Sequence, residues 1–279
     1  MPKKPVHNLD ISAKTILLLI SGLAIIIIGQ LLGEITYSVV PIPSLPDIVY
    51  ILVAVVAVLA MNRWVLKIPL EEFGLGKLHL NWWWVVLGLA MPWALNFTMA
   101  MIFAGNITFN PNTSFMTIYM AVIAAFSVGM VEELIFRSYM FSTIRRDFGL
   151  IAATIIPSVF FAATHLLNGS LNFTSTIMLL VAGTIVGVTF TLIRLATGNI
   201  WTAVIMHTLW DTFVADSNIA NENALVAIKD ATANPGMLLS GGQYGIETSL
   251  PGMLVFAIPM IIIFVSLKNR GMIGTNNLK

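Results

Sequence analysis

At 279 residues, with 58% hydrophobic and 10% charged residues and a mean hydropathy of +0.91, the chain is too apolar for water to be its solvent over most of its length. A net charge of +1 without a dense Lys/Arg cluster argues against nucleic acid as a partner, and the lack of cysteine excludes disulfides, thiolate metal sites and cysteine nucleophiles. A bilayer fits this composition. At about 20 apolar residues per crossing, the length allows roughly eight transmembrane helices with short connections.

Backbone polar groups must be paired in lipid, so each long apolar run is read as a helix and each turn-rich stretch as a connection. The first run, near 13–33, follows Lys3, Lys4 and Lys14. It exceeds the roughly 7–15 residues of a signal-peptide core and no A-x-A-like cleavage pattern follows, so it is read as a first span. Beyond Pro41, Pro43 and Pro46 the spans continue near 48–66 and 82–104. Gly105 to Ser114 leads to spans near 115–146 and 149–168, which are divided by the Arg145-Arg146-Asp147 turn. Asn168 to Asn172 precedes a span near 173–195, and Gly198-Asn199 one near 198–214. A long connection, about 215 to 249, separates this from a last span near 250–267. Segments 68–80 and 221–232 read either as short interfacial helices or as loops. The expected fold class is therefore all-α, a single polytopic transmembrane domain over residues 1–279 with its chemistry inside the helix bundle. No internal repeat is visible, which disfavours a transporter built from two similar halves.

Connections kept in the cytoplasm carry the excess of Lys and Arg. The N-terminus, the second, fourth and sixth connections and the C-terminus hold Lys3, Lys4, Lys14, Arg63, Lys67, Lys77, Arg145, Arg146, Arg194, Lys268, Arg270 and Lys279, whereas the alternate connections hold only Lys229. Trp64, Trp82, Trp83, Trp84 and Trp201 fall at the same interface, where indoles tend to sit. Both termini are therefore expected inside. Asn106, Asn112, Asn168 and Asn172 open N-x-[S/T] sequons on the other side, which matter only in a secretory pathway.

Ionisable groups at membrane depth are expensive, and those that remain are functional candidates. They are Glu132, Glu133 and Arg137, then His165, then His207 and Asp211. Glu34, Arg63 and Arg194 lie at span ends and are read as solvated, as are His7 and His79 in aqueous segments. Glu133 with Arg137, and His207 with Asp211, stand four residues apart, the spacing that puts two side chains on one helix face. At about 1.5 Å per residue, Glu132, His165 and His207 lie roughly 20, 24 and 15 Å from the cytoplasmic ends of their helices, so three helices could bring them to one level. Gly129, Ala162 and Ala163 would allow those helices close approach. Consecutive glutamates point about 100° apart, and Arg137 can neutralise only one. Spacing assigns it Glu133, which leaves Glu132 free to face a cavity and work as a base with His165. All six could equally form a buried polar network that only locks helices together. No H-E-x-x-H zinc motif occurs, Asp211 is the only aspartate within a span, and Ser240-Gly241-Gly242 has no histidine nearby.

Glu132 to Arg137 has the form E-E-x-x-x-R, Phe161 to His165 the form F-x-x-x-H, and His207 to Asp211 the form H-x-x-x-[N/D]. These blocks, in this order on successive apolar helices over about residues 115–214, resemble the CPBP (Abi) family of type II CAAX prenyl endopeptidases and their bacteriocin-processing or self-immunity relatives. The resemblance implies that Glu132 and His165 activate a water against a scissile carbonyl. It implies that His207 and Asp211 hold the oxyanion or a metal, that Glu133 and Arg137 support the site, and that Phe161 packs beside it. The donor set suits either a metal-free glutamate protease or a divalent metal such as zinc held by Glu132, His165, His207 and Asp211. Asp211 departs from the Asn more usual at the last motif position. The implied partners are a peptide or protein substrate, with a prenylated tail or a leader peptide as candidates, and membrane lipids. The competing functions are a proton-coupled carrier, in which Glu, His and Asp relay protons, and a non-catalytic scaffold or immunity protein.

Overall fold

Helices occupy the apolar runs in the computed structural model, which describes residues 8–78, 80–110, 113–215 and 225–273. In chain order they are α1 (Asn8–Val39), α2 (Leu45–Met61, prolonged by a π turn, Asn62–Leu66), α3 (Trp82–Phe103) and α4 (Phe115–Glu132). A π-helical segment, Glu133–Met140, joins α4 to α5 (Phe141–Thr164). Then come α6 (Phe173–Thr197), α7 (Trp201–Phe213), the single turn α8 (Met237–Ser240) and α9 (Leu250–Asn269). Side-chain caps satisfy orphan amides at several starts: Ser114 and Thr117 form a reciprocal capping box on α4, Asn172 caps α6 and Ser249 caps α9.

Among the described residues six runs are long and apolar enough to cross a membrane, Thr15–Val39, Leu45–Leu66, Trp82–Phe103, Phe115–Asn168, Phe173–Thr197 and Leu250–Asn269, where the sequence suggests eight. The difference arises in two places. Phe115–Asn168 runs for 54 residues and contains two of the expected spans. Their division falls at Gly149, whose φ of 82° and ψ of −177° interrupt α5, rather than at Arg145–Asp147, which stay helical. The expected span 198–214 is instead a helix of 13 residues, about 20 Å long and too short to cross a hydrocarbon core of about 30 Å. Segment 221–232 is not helical where described. Val226–Lys229 forms a strand, β2, paired antiparallel with β1 (Asn106–Phe109), Asn106 opposite Lys229 and Phe109 opposite Val226. The described residues of 68–80 form turns without a helix. His7, His79, Asn112 and the outermost residues of both termini lie outside the described residues.

The outer surface is apolar. Ile16, Leu17, Ile20 and Ile28 on α1, Leu52 and Val56 on α2, and Ile258, Ile261 and Ile262 on α9 are all exposed. A soluble protein would bury such contiguous faces, whereas in an integral membrane protein lipid covers them. Trp64, Trp82 and Trp83 are exposed as interfacial residues should be, while Trp201 donates its indole N–H to the Gly76 carbonyl at 3.0 Å. Arg194 departs from its expected solvated role. It is buried, donates from Nη2 to the Glu72 carbonyl at 2.8 Å and to Ser142 Oγ at 3.2 Å, and lies 4.1 Å over the Phe141 ring. Turn 70–74 folds back over the end of α6 and provides the carbonyl that replaces water.

Inside the bundle α1 packs on α2, α5 on α6, α4 on α7, and α7 on α3. Small residues set two of these approaches. A Cβ on Gly129 of α4 would stand 3.3 Å from the Cβ of His207 on α7, so this glycine lets two site-bearing helices touch. A Cβ on Gly187 of α6 would stand 2.6 Å from that of Ser158, and one on Gly183 would stand 2.7 Å from that of Ala162, on α5. Gly187→Leu is therefore expected to push α5 from α6 and cost about 1–3 kcal/mol. A fall in the thermal unfolding midpoint of the detergent-purified protein reads this out, and an unchanged midpoint would show that the helices yield freely.

Candidate active site

The polar centre begins where α4 passes into its π segment. Wider i→i+5 turns recur at functional sites, and here they begin at the second of two consecutive glutamates. All eight residues of Glu133–Met140 are buried, so the polar side chains of this segment depend on partners within the protein.

Glu133 Oε1 is the hub. It accepts from His207 Nδ1 at 3.0 Å and stands 3.0 Å from Arg137 Nη1, with Glu133 wholly buried and Arg137 1% exposed. The i,i+4 pair expected from spacing is present, and it carries a further partner that spacing does not reveal. Since a carboxylate only accepts, the bond to Glu133 places a proton on His207 Nδ1 and turns Nε2 toward the remaining acids. Nε2 is 3.8 Å from Glu132 Oε2 and 3.5 Å from Asp211 Oδ2. The two glutamates therefore do different work on one imidazole, one at each ring nitrogen. Glu132 Oε2 is buried and has no hydrogen-bond partner among the described residues.

Aromatic rings wall this cluster. Phe161 is buried under the Arg137 guanidinium at 4.4 Å and meets the rings of His165 and His207 edge-on at 4.9 and 6.1 Å. It thus packs among the polar residues as expected. Phe190 of α6, absent from the motifs, stacks on His207 at 5.0 Å with 19° between planes and lies 5.3 Å below Arg137. A single apolar residue in an apolar helix gives no signal of such a role in a sequence.

His165 is placed differently. Its Nδ1 donates to the Phe161 carbonyl at 2.8 Å. It has no ion pair with a carboxylate among the described residues, and it joins the cluster through Phe161 and a shared cavity. That cavity, of about 1740 Å³, is lined by His165 and Asp211 together with Val128 of α4, Asp47, Tyr244 and Glu247. Glu132 follows Val128 by one helical turn.

Tyr244 and Glu247 come from the connection before α9 and were not among the expected site residues. Trp210 donates its indole N–H to Glu247 Oε2 at 2.7 Å, which fixes that carboxylate beside the neighbouring Asp211. The Tyr244 ring stands 6.3 Å from His165. Burial, then the charges of Glu247, Glu132 and Asp211, push the Tyr244 phenol up, so it stays an O–H donor. A tyrosine and a glutamate in a Gly-rich loop are common, and only the fold brings them here.

A zinc centre needs three or four ligands at about 2.0–2.2 Å from one point. Among the described residues, no group of three or more His, Asp or Glu is arranged to hold a metal ion. Glu132, His165, His207 and Asp211 do not fit as a ligand set, and no step below passes through a metal.

Residues 114–213 match the family model described as type II CAAX prenyl endopeptidase, Rce1-like. No curated protein and no solved structure matches the chain. The matched segment starts at the Ser114 cap of α4 and ends with α7. It thereby contains all three motifs, while α1 to α3, Tyr244, Glu247 and α9 lie outside it. The segment that carries the polar cluster of this integral membrane protein is thus similar to the type II CAAX prenyl endopeptidase, Rce1-like family.

Proposed function

We propose that the protein is a membrane-embedded endopeptidase that hydrolyses a peptide bond with a water activated by Glu132 and His165. The observation that carries this reading is Glu132 Oε2, buried with no hydrogen-bond partner among the described residues, 3.8 Å from His207 Nε2 and one helical turn along α4 from Val128 in the cavity wall. Buried polar atoms are normally satisfied, and an acceptor left without a hydrogen bond suits a group that works on a bound proton donor. Glu132 takes a proton as the water oxygen bonds to the scissile carbonyl carbon. His207, held through Nδ1 by Glu133, and Asp211 face the developing oxyanion. When the C–N bond breaks, the proton passes to the leaving amine, leaving a carboxylate and an amine. The family match supports the reaction class, and the substrate reading extends to a CAAX-type tail or a leader peptide.

The experiment is comparative proteomics of cells carrying the wild-type chain or Glu132→Gln at equal abundance. An uncleaved peptide or protein should accumulate with the variant, and identical peptide profiles would overturn the reading.

Asp211 separates two ways of meeting the oxyanion. A carboxyl group donates a hydrogen bond only while protonated, so a contribution of that kind declines as pH rises through its pKa. An amide of nearly the same shape donates at every pH. Asp211→Asn is therefore expected to retain cleavage and to extend it toward alkaline pH. A pH–rate profile with chelator or added zinc checks this. Uniformly low activity restored by excess zinc would instead assign Asp211 to a metal.

A further inference from the structure

The cavity opens at one end of the bundle. Its lining includes Pro43 before α2, Ser114 before α4, Ser170 between α5 and α6, Ala215 after α7, and Tyr244 and Glu247 before α9. These belong to the first, third, fifth and seventh connections, those poor in Lys and Arg. Among the described residues no lysine or arginine is in that lining, and its charged side chains besides His165 are Asp47, Asp211 and Glu247. At the other end of the bundle, turn 70–74 lies over the end of α6, with Arg194 donating to Glu72 and the Ile200 amide to Gly74. Basic residues mark the cytoplasmic side of a membrane protein.

We infer that the site takes its substrate from the non-cytoplasmic face, as a peptide segment displayed outside the membrane and neutral to basic in charge, rather than a tail presented in the cytosol. This rests on the peptidase reading above and adds to it the side of entry and the charge of the substrate. A cytosolic tail would meet the end of the bundle that bears Arg63, Arg145 and Arg146, while the cavity and its carboxylates lie at the opposite end. An acidic segment would meet the carboxylates of Asp47 and Glu247 in a lining without Lys or Arg among the described residues, where like charges repel.

The cysteine-free chain makes the test direct. Ser170→Cys is at the cavity mouth and exposed, and Arg63→Cys is exposed at the opposite end. In intact cells, a membrane-impermeant maleimide should modify Ser170→Cys and leave Arg63→Cys untouched until the membrane is permeabilised. The reverse pattern would overturn the side of entry. A second measurement uses one anchored reporter peptide displayed on either face of the membrane, with basic and acidic versions of the same sequence. Cleavage confined to the outward, basic version supports the inference, and cleavage of the inward version or equal cleavage of the acidic one overturns it. Failure to cleave in any format, with labelling as expected, would count against the peptidase reading and leave the side of entry standing.

Discussion

Glu132→Gln is expected to lower cleavage by about 10²–10⁴-fold, the usual contribution of a positioned general base, while the protein accumulates and unfolds at an unchanged midpoint. The reason for the split is geometric. Glu132 Oε2 makes no hydrogen bond among the described residues, and its ion-pair partner, His207 Nε2, is 3.8 Å away, so an amide of the same shape fits in its place. Cleavage of an accumulating substrate by purified protein, alongside thermal unfolding in the same detergent, gives both numbers. Full activity in Glu132→Gln would remove it from the chemistry and favour the scaffold or carrier readings.

Glu133→Gln should act through stability as well as activity. Arg137 is 1% exposed with its guanidinium against Phe161, and the carboxylate it faces is that of Glu133. Neutralising that carboxylate leaves a buried cation without its counter-ion, a change that costs about 3–5 kcal/mol in soluble proteins. The same substitution weakens the bond that places the proton on His207 Nδ1, since an amide can turn its own N–H to that nitrogen and reverse the tautomer. Loss of activity with a lowered midpoint is therefore expected. The double variant Glu133→Gln, Arg137→Met should recover part of the stability but not the activity, because the charge is removed while His207 still lacks its carboxylate. Equal midpoints for Glu132→Gln and Glu133→Gln would erase the division of labour between the two acids.

Much of this molecule can be read along the chain. Apolar runs of about twenty residues announce helices because lipid leaves the backbone no other way to pair. Glu133 and Arg137 share a face because helical geometry fixes what lies four residues on, and Gly129 permits contact because it has no side chain. The order of the three motifs pointed to one cluster, and five of its members, Glu132, Glu133, Arg137, His207 and Asp211, meet within ion-pair distances.

Tertiary structure decided what local geometry leaves open. Spacing reports neighbours on one helix, whereas a partner on another helix depends on how the two are rotated and how closely they pack. That is why Glu133 could be matched to Arg137 but not to His207, and why Phe190 gave no sign of stacking on that ring. Burial is likewise set by what folds over a residue. Arg194 ends an apolar span, as a solvated arginine would, yet turn 70–74 covers it and supplies a carbonyl. Helix length gave way too, since α7 needs only to bring His207 to the glutamates and Asp211 to the cavity and stops after 13 residues. Tyr244 and Glu247 are the furthest case. They lie some thirty residues beyond the last motif, and only the return of the chain before α9 carries them to the wall of a cavity built by helices much earlier in the sequence.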